Sequence, residues 1–291
     1  MRALYDLLAP AKLNLFLHVV GRRADGYHLL QSVFVLIDWA DTLHIERRRD
    51  ATLRRHDLAT PLPDDDLCLR AARALQQASG TPLGADIHIH KRVPAGAGLG
   101  GGSSDAATTL LALNRLWDLH WPQDRLSALA LTLGADVPFF VRGHNAFVQG
   151  VGEQITPIEL PPLWLAVVKP GESLATAAIF GHPSLERSTP PVILADFLAD
   201  TALPDCANDG YGRNDLQAVA QLQCAEVGQA ARWLQARFGN SRMSGSGSAV
   251  FARAGTGDRP LATWGSDDLP PHWVGRMCRS LTAHPLLHWS G

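Results

Sequence analysis

Residues 94–104 read Pro-Ala-Gly-Ala-Gly-Leu-Gly-Gly-Gly-Ser-Ser, so that five of the eleven positions are glycine. The preceding stretch, 85–90, alternates apolar and polar residues as a strand does, and the dense alanine and leucine pattern of 103–117 predicts a helix. Glycines leave backbone N–H groups unobstructed, and the N-terminus of a helix carries partial positive charge. The order strand, glycine loop, helix therefore predicts an anion site, for which the triphosphate of ATP is the natural ligand.

Every residue of this glycine loop is a predicted phosphate contact, and its two serines are expected to cap the following helix. The predicted set is Pro94, Ala95, Gly96, Ala97, Gly98, Leu99, Gly100, Gly101, Gly102, Ser103 and Ser104. The segment alone leaves one alternative open, namely a flexible surface loop that ends in a good helix N-cap.

Two other nucleotide-binding patterns can be compared with the loop. Gly96, Gly98 and Gly101 satisfy the G-x-G-x-x-G spacing of dinucleotide-binding folds. That motif belongs to a βαβ unit, whereas here a second predicted helix, 123–133, follows the first. A P-loop is also excluded, because it requires a lysine directly after its last glycine. The loop is therefore predicted to bind phosphate, but neither as a dinucleotide-binding motif nor as a P-loop.

The rest of the chain has the pattern of an α+β protein. Strands are predicted at 13–20, 33–37, 42–46, 145–149 and 164–169, and a small-residue turn at 242–251 leads into another. Helices are predicted at 65–78, 192–200, 215–222 and 226–238. Strands and helices alternate without a regular period, which argues against a doubly wound parallel sheet. The turn 150–152 and the Pro161–Pro162 pair mark a boundary between two domains, 1–155 and 156–291.

Composition restricts the classes of partner. The 291 residues are 46% hydrophobic and 19% charged, as in globular proteins, and the net charge of −2 provides no basic field for nucleic acid or anionic membranes. We find no apolar run of about 20 residues and no signal peptide. Four widely spaced cysteines, Cys68, Cys206, Cys224 and Cys278, are expected to be reduced thiols, which suggests a cytoplasmic protein.

Three separated segments together resemble the superfamily of galactokinase, homoserine kinase, mevalonate kinase and phosphomevalonate kinase, the GHMP kinases. They are Pro-Ala-Lys-Leu-Asn-Leu at 10–15, the glycine loop with Asp-Ala-Ala at 105–107, and Ser-Gly-Ser-Gly-Ser at 244–248. One of them alone would be weak evidence, but all three occur in order. The resemblance implies a two-domain GHMP fold, with an N-terminal ATP-binding domain like ribosomal protein S5 domain 2 and a ferredoxin-like C-terminal domain.

The same resemblance implies that Lys12 and Asp136 are the catalytic pair, with ATP and Mg²⁺ as cofactors. Phosphoryl transfer to an alcohol needs a base for the hydroxyl proton and a positive group that balances developing charge. The alternative for Asp136 is a turn carboxylate that caps its own backbone, and for Lys12 a solvated surface charge. No protein ligand of magnesium is evident in the sequence, although Ser103 or Ser104 could contribute.

Further motifs resemble the branch of the superfamily that phosphorylates the 2-hydroxyl of 4-diphosphocytidyl-2-C-methyl-D-erythritol, in the non-mevalonate route to isoprenoid precursors. They are Arg-Ala-Asp-Gly-Tyr-His at 23–28, Gly-Ala-Asp-Val-Pro-Phe-Phe at 134–140 and Arg-Asn-Asp-Leu at 213–216. The resemblance implies a small-molecule substrate that carries a cytidine diphosphate, and it assigns substrate contacts to Asn14, Tyr27, His28, Asp136, Thr176 and Phe180. Aromatic faces suit a flat base, and an imidazole can read its polar edge.

One position departs from the pattern of that branch, which usually has asparagine before the leucine that begins the first helix. Here Asp66 precedes Leu67, and an acidic side chain reverses part of the hydrogen-bonding pattern, so we expect the adenine contacts to differ there. Lys91, at a strand end, either approaches the nucleotide or is solvated. The segment after about residue 255 carries no recognised motif, and the sequence does not indicate an oligomeric state.

Three other functions remain to be compared with this hypothesis. Another GHMP kinase, of homoserine or mevalonate type, is disfavoured by Gly-Tyr-His at 26–28 and by Phe180. A non-catalytic nucleotide-binding module is disfavoured by Lys12 and Asp136. An RNA-binding protein with the same N-terminal fold is disfavoured by the absence of a basic patch in the sequence.

Overall fold

The computed structural model describes residues 1–201, 212–265 and 268–289, and its first sheet is built on two long strands. Strands β1 (Ala3–Arg22) and β2 (His28–Arg48) pair antiparallel from end to end. The prediction of two separate strands at 33–37 and 42–46 was wrong. The polar residues between them have partners that let the extended backbone continue: Asp38 accepts the N–H of Arg279, and Asp41 accepts the N–H groups of Arg92 and Val93.

Four shorter strands complete the first sheet. They are β3 (Leu53–Asp57), β4 (Gly84–His90), β5 (Ala146–Gly150) and β6 (Gln154–Pro157). The order is β3-β4-β2-β5-β6 with β1 paired to β2, and only β3 and β4 run parallel. The helices that pack here are α1 (Leu67–Ser79), α2 (Gly101–Leu116), α3 (Gln123–Leu131) and α4 (Val137–Arg142). Helix α2 is buried along nearly its whole length and forms the centre of this core.

The second sheet has four antiparallel strands in the order β10-β7-β9-β8. They are β7 (Trp164–Lys169), β8 (Arg242–Met243), β9 (Val250–Gly255) and β10 (Val274–Arg279). The described residues of this part of the chain form the helices α5 (Thr176–Gly181), α6 (Leu194–Thr201), α7 (Gln217–Gln223) and α8 (Ala225–Phe238). The α+β prediction is confirmed. No helix within the described ranges is long and apolar enough to span a bilayer.

The C-terminal segment without motifs returns from the second sheet to the first. Strand β10 pairs with β7, and then the N–H of Leu281 donates to the carbonyl of Leu36 (2.8 Å). A short 3₁₀ helix, Leu287–Trp289, ends the described chain, and Leu286 is part of the core around α2. This segment therefore links the two layers.

His284 anchors the returning segment inside the protein. Its backbone N–H donates to the carbonyl of Gly143 (2.7 Å), and its Nδ1 accepts the N–H of Leu286 (3.1 Å). Burial lowers the pKa of the His284 imidazole to about 4. The folded protein therefore keeps this ring neutral in a pH range where the unfolded chain binds a proton.

We expect the free energy of unfolding to fall by about 2 kcal/mol when the pH is lowered from 7 to 5, through the protonation of His284 in the unfolded chain alone. The unfolded histidine takes up a proton below about pH 6.5, whereas the folded one does so only near pH 4, so stability is lost as the pH falls through this window. Urea unfolding of the parent chain and of His284→Gln at both pH values measures the difference. Equal pH dependence of the two proteins would contradict this prediction.

Candidate active site

The glycine loop is held in place through its carbonyl groups. The N–H of Lys12 donates to the carbonyl of Leu99 (2.9 Å), and the N–H of Ala249 donates to that of Ala97 (3.1 Å). The Ser244 hydroxyl donates to the carbonyl of Gly98 (3.2 Å). Strand β1 and the turn 244–249 thus bind the same loop, and all three motifs of the GHMP resemblance meet at one place.

The amides of the loop remain available to a ligand. Among the described residues, none of the backbone N–H groups from 95 to 103 donates to another residue, and the last three belong to the first turn of α2. Gly98 and Gly100 have φ values of +72° and +71°, in the left-handed region that favours glycine. The backbone can therefore offer several donors at the positive end of a long helix.

The expected capping of α2 by serine was wrong. The helix begins at Gly101 with Gly100 as its N-cap, and no side chain caps it. Ser103 and Ser104 lie inside the first turn, where the N–H of Ser104 donates to the carbonyl of Gly100 (2.9 Å). Glycine takes the N-cap position because the chain enters the helix with positive φ, and the absence of a cap leaves the helix end free for an anion.

Two cavities lie on either side of the glycine loop and share Gly96, Gly98 and Gly100 as a common wall. The acceptor cavity, as we call the first, is lined by Lys12, Asn14, Asp136, Thr176 and Phe180 among others. The nucleotide cavity is lined by Leu62, Asp66, Leu67, Lys91 and the loop residues 94–103. A phosphoryl group bound at the loop would therefore be accessible from both cavities.

Lys12 is a buried cation at the base of the acceptor cavity, not a solvated surface residue. Its ammonium donates to Asn14 Oδ1 (2.6 Å), lies 3.6 Å from Asp136 Oδ2 and sits 4.7 Å from the ring centroid of Phe34. Burial lowers the pKa of Lys12, and the negative charge of Asp136 opposes that shift. The carboxylate thus helps to keep the amine protonated.

Asp136 faces this lysine from the start of α4. It occupies the N-cap position, yet its side chain makes no capping hydrogen bond, so the alternative of a turn carboxylate bound to its own backbone was wrong. The side chain is 33% exposed, whereas that of Lys12 is 4% exposed. The carboxylate is therefore accessible to a ligand, while its partner is fixed.

The remaining predicted substrate residues lie at different depths. Thr176 and Ser246 share a hydrogen bond between their hydroxyls (2.7 Å) in the acceptor cavity. The rings of His28 and Phe180 are neighbours, with centroids 5.1 Å apart. Tyr27 lies on the hairpin between β1 and β2 and is 66% exposed. Phe180 lines the acceptor cavity, whereas neither Tyr27 nor His28 is among its lining residues.

Arg187 is a residue of this region that sequence reasoning missed. Its Nε donates to His28 Nε2 (3.1 Å), and its terminal nitrogens donate to the carbonyls of Phe180, His182 and Leu185. It lies in a loop without a motif, and nothing in the local sequence indicates which side chain it meets.

Asp66 lines the nucleotide cavity, but its carboxylate is already bound to other groups of the protein. Its carboxylate accepts the N–H groups of Cys68 and Leu69 (3.1 Å each), which caps α1, and it pairs with Arg55 at 2.7 Å. Arg55 also binds the carbonyls of Leu62 and Pro63. The acidic residue at this position is thus neutralised by a cation that organises the rim of the cavity.

Lys91 is not solvated, as one alternative had it, but lies between two buried carboxylates, Asp41 and Asp105. Burial opposes its charge, yet the two carboxylates raise the pKa of Lys91. Burial also raises the pKa of Asp105 well above its usual range. Lys91 lines the nucleotide cavity as part of this cluster, so its charge is already matched by the protein.

Comparisons with known proteins identify the same family that the sequence motifs resemble. The family model described as the GHMP kinase N-terminal domain matches residues 66–144. The 4-diphosphocytidyl-2-C-methyl-D-erythritol kinase of Methylibium petroleiphilum is 65% identical over 292 residues, with 100% of this chain and 99% of the relative covered.

Solved structures give the same result. A crystal structure of 4-(cytidine 5'-diphospho)-2C-methyl-D-erythritol kinase has 35% identity and a TM-score of 0.75, with 94% of this chain and 99% of that chain covered. Homoserine kinase from Cytophaga hutchinsonii has 15% identity and a TM-score of 0.68, with 98% and 96% covered, and shows the fold alone. Because a relative of such high identity spans the whole chain, the chain belongs to the 4-diphosphocytidyl-2-C-methyl-D-erythritol kinase family of the GHMP kinases.

Proposed function

We propose that this chain transfers the γ-phosphate of ATP to the 2-hydroxyl of 4-diphosphocytidyl-2-C-methyl-D-erythritol, a step in the formation of isoprenoid precursors. The observation that carries the proposal is the Lys12–Asp136 pair, which lies in a cavity that shares the glycine loop with the nucleotide cavity. As a member of its family the chain is a kinase, and its relatives are named for this substrate.

Asp136 is the proposed base. Its carboxylate takes the proton of the 2-hydroxyl while the oxygen forms a bond to the γ-phosphorus, and the bond from phosphorus to the β–γ bridging oxygen breaks, so that ADP leaves. Lys12 orients the carboxylate and balances the negative charge that develops on the transferred group. Asn14 fixes the ammonium of Lys12 at 2.6 Å, which limits its freedom to move from this position.

ATP is the proposed phosphoryl donor, bound with its phosphates against the glycine loop 94–104, whose free N–H groups are those of residues 95–103. Within the described ranges no cluster of three or more His, Cys, Asp or Glu side chains could hold a metal ion. We propose that Mg²⁺ enters with ATP and is held largely by phosphate oxygens and water, which is usual for this ion. Ser103 lines the nucleotide cavity and can contribute its hydroxyl, whereas the Ser104 hydroxyl is fully buried.

The cytidine is proposed to bind at the Phe180 end of the acceptor cavity, beside His28, with Tyr27 on its outer face. Asn14 and Thr176 are the proposed contacts for polar groups of the substrate. The neighbouring rings of His28 and Phe180 support this placement, because a flat base gains from stacking on an aromatic face. Tyr27 is exposed, so it can approach a bound base from the solvent side.

The proposed domain division is 1–155 and 156–291, with an N-terminal unit like ribosomal protein S5 domain 2 and a ferredoxin-like C-terminal unit. In support, the change from the first sheet to the second lies close to this boundary, between the end of β6 at Pro157 and the start of β7 at Trp164. We also propose that the protein works in the cytoplasm, without nucleic acid or membrane partners. The thiols of Cys68, Cys224 and Cys278 are unpaired, which is consistent with a reducing compartment; Cys206 lies outside the described residues.

Removal of either member of the catalytic pair should abolish most turnover of the parent chain. We expect Asp136→Asn and Lys12→Met each to lower kcat by about 10²- to 10⁴-fold, since each loses a group that acts in the transition state. A coupled assay of ADP release with 4-diphosphocytidyl-2-C-methyl-D-erythritol measures the effect.

Asp124→Asn is the matched control for this experiment, because Asp124 is an exposed carboxylate whose ion pair, among the described residues, is with Arg142 at 3.3 Å. It should keep the parent rate. If Asp136→Asn also kept it, Asp136 would not be the base. Turnover of homoserine or mevalonate by the parent chain, with none of the cytidine substrate, would overturn the choice of acceptor.

The phosphate-binding loop should tolerate alanine at Gly102 and reject it at Gly98. A Cβ at Gly98 would lie 2.3 Å from the Ser244 carbonyl oxygen at a φ of +72°, whereas one at Gly102 would meet only Leu67 Cδ1 at 3.6 Å. We expect Gly98→Ala to cost about 2 kcal/mol or more in stability. Gly102→Ala should be neutral or slightly stabilising, because alanine favours a helix. Thermal unfolding of both variants tests this, and equal melting temperatures would contradict it.

A further inference from the structure

Lysine occurs at only three positions of the chain, 12, 91 and 169. Lys12 lines the acceptor cavity and Lys91 lines the nucleotide cavity. Lys169 is the last residue of β7, is buried and belongs to the lining of neither cavity. This third lysine has no part in the proton and phosphoryl transfer proposed above, although a buried cation is costly unless partners match it.

The ammonium of Lys169 binds three successive residues that follow it. It donates to the carbonyls of Gly171 (3.0 Å) and Glu172 (3.1 Å) and to the hydroxyl oxygen of Ser173 (3.2 Å). An ammonium has three hydrogens to donate, so these three acceptors use all of them. Burial lowers the pKa of Lys169, and the negative charge of Glu226 opposes that shift. Lys169 therefore folds residues 171–173 back onto the end of β7.

Residues 171–173 also pack on both elements that build the anion site. The carbonyl of Glu172 accepts the Ser248 hydroxyl (2.5 Å) in addition to the Lys169 ammonium. Ser173 lies directly against the glycine loop, because a Cβ at Gly96 would be 2.9 Å from the Ser173 hydroxyl oxygen. Lys169 thus fixes a segment that contacts the glycine loop and the turn 244–249 at the same time.

The residues that come next form part of the wall of the acceptor cavity. Leu174 and Thr176 both line this cavity, and neither belongs to the lining of the nucleotide cavity. The Thr176 hydroxyl is fixed by its hydrogen bond to Ser246 (2.7 Å), whereas the chain before it is fixed through Lys169. A displacement of residues 171–173 would therefore move the wall on the acceptor side more than the wall on the nucleotide side.

We propose that Lys169 is a positioning residue for the acceptor substrate, which fixes residues 171–173 and thereby places Leu174 and Thr176 in the wall of the acceptor cavity. This inference rests on the proposed function, because it assumes that the alcohol substrate binds in this cavity. The ammonium lies behind the wall and touches no ligand. Its loss weakens the binding of the acceptor more than the binding of ATP.

The first test measures the freedom of the segment in the absence of any substrate. A protease that cleaves after glutamate needs an extended chain at its target, and in the parent chain the Glu172 carbonyl is bound by Lys169 and Ser248. Lys169→Met should raise the rate of cleavage after Glu172 about tenfold, because the closed conformation loses hydrogen bonds.

Cleavage after Glu153 provides the internal control, since this exposed residue lies between β5 and β6 in the first sheet. Mass spectrometry of the fragments separates the two sites, and the rate at Glu153 should not change. An unchanged rate at Glu172 would overturn the proposal. An equal rise at both sites would assign Lys169 to general stability and would also overturn it.

The second test compares the two substrates in steady-state kinetics. Lys169→Met should raise the KM for 4-diphosphocytidyl-2-C-methyl-D-erythritol about three- to tenfold, with smaller changes in kcat and in the KM for ATP. Lys169→Arg keeps a cation with several donors and should recover part of the loss. Arg276→Met is the control, because it removes an exposed cation from the neighbouring strand β10 and should leave both KM values unchanged. Equal rises in the two KM values of Lys169→Met would overturn the proposal.

A double-mutant cycle tests whether Lys169 acts through the cavity wall. Thr176→Val removes the hydroxyl from the wall at nearly the same size, so it also should raise the KM for the acceptor. Because both changes act on the same contact, their combined effect should be smaller than the product of the two separate effects. Independent, multiplicative effects would overturn the proposal.

The tests also separate this inference from the proposed function. If the parent chain did not phosphorylate the cytidine substrate, the proposed function would fail, and proteolysis would still show whether Lys169 fixes residues 171–173. If the parent chain turned over that substrate and Lys169→Met kept the parent KM for it, the proposed function would stand and the role of Lys169 would be refuted.

Discussion

The whole site depends on how the carbonyl groups of the glycine loop are bound. Strand β1 takes one of them through the N–H of Lys12, and the turn 244–249 takes others, so two distant parts of the chain fix one short segment. With its carbonyls occupied on the protein side, the loop leaves its amides for phosphate. The same hydrogen bond to Leu99 places Lys12 beside the loop. The position of the Lys12 ammonium is therefore coupled to that of the free loop amides.

Electrostatic balance explains why the charged residues here differ so much in accessibility. Lys91 is enclosed by two carboxylates and Asp66 is paired with Arg55, so both are neutralised by the protein. In contrast, Asp136 meets Lys12 at 3.6 Å and remains one-third exposed. The ion pairs of Lys91 and Asp66 are buried within the protein, so their charges are neutralised there. Asp136 is also paired with a cation, but its carboxylate remains accessible and can exchange a proton with a ligand.

Local pattern was sufficient for much of the fold and for the centre of the site. Strand β7 was predicted to the residue, and Lys12 and Asp136 lie together as their motifs implied. Other features depend on contacts that no local pattern contains. The unbroken β2 requires partners for Asp38 and Asp41 from distant segments, and Arg187 contacts a histidine 159 positions away. Residue propensity predicts a serine cap for α2, but the chain enters this helix with a positive φ that favours glycine at the N-cap.

The return of the C-terminal segment to the first sheet has a consequence for how the protein is made. Leu281 bonds to Leu36, and Leu286 fills the core around α2, so the first layer contains residues from both ends of the chain. During synthesis the N-terminal strands leave the ribosome long before their last partners exist. Contacts so distant in sequence slow folding. The first layer can be completed only after Leu286 has emerged, so its core stays incomplete while the whole second sheet is being synthesised.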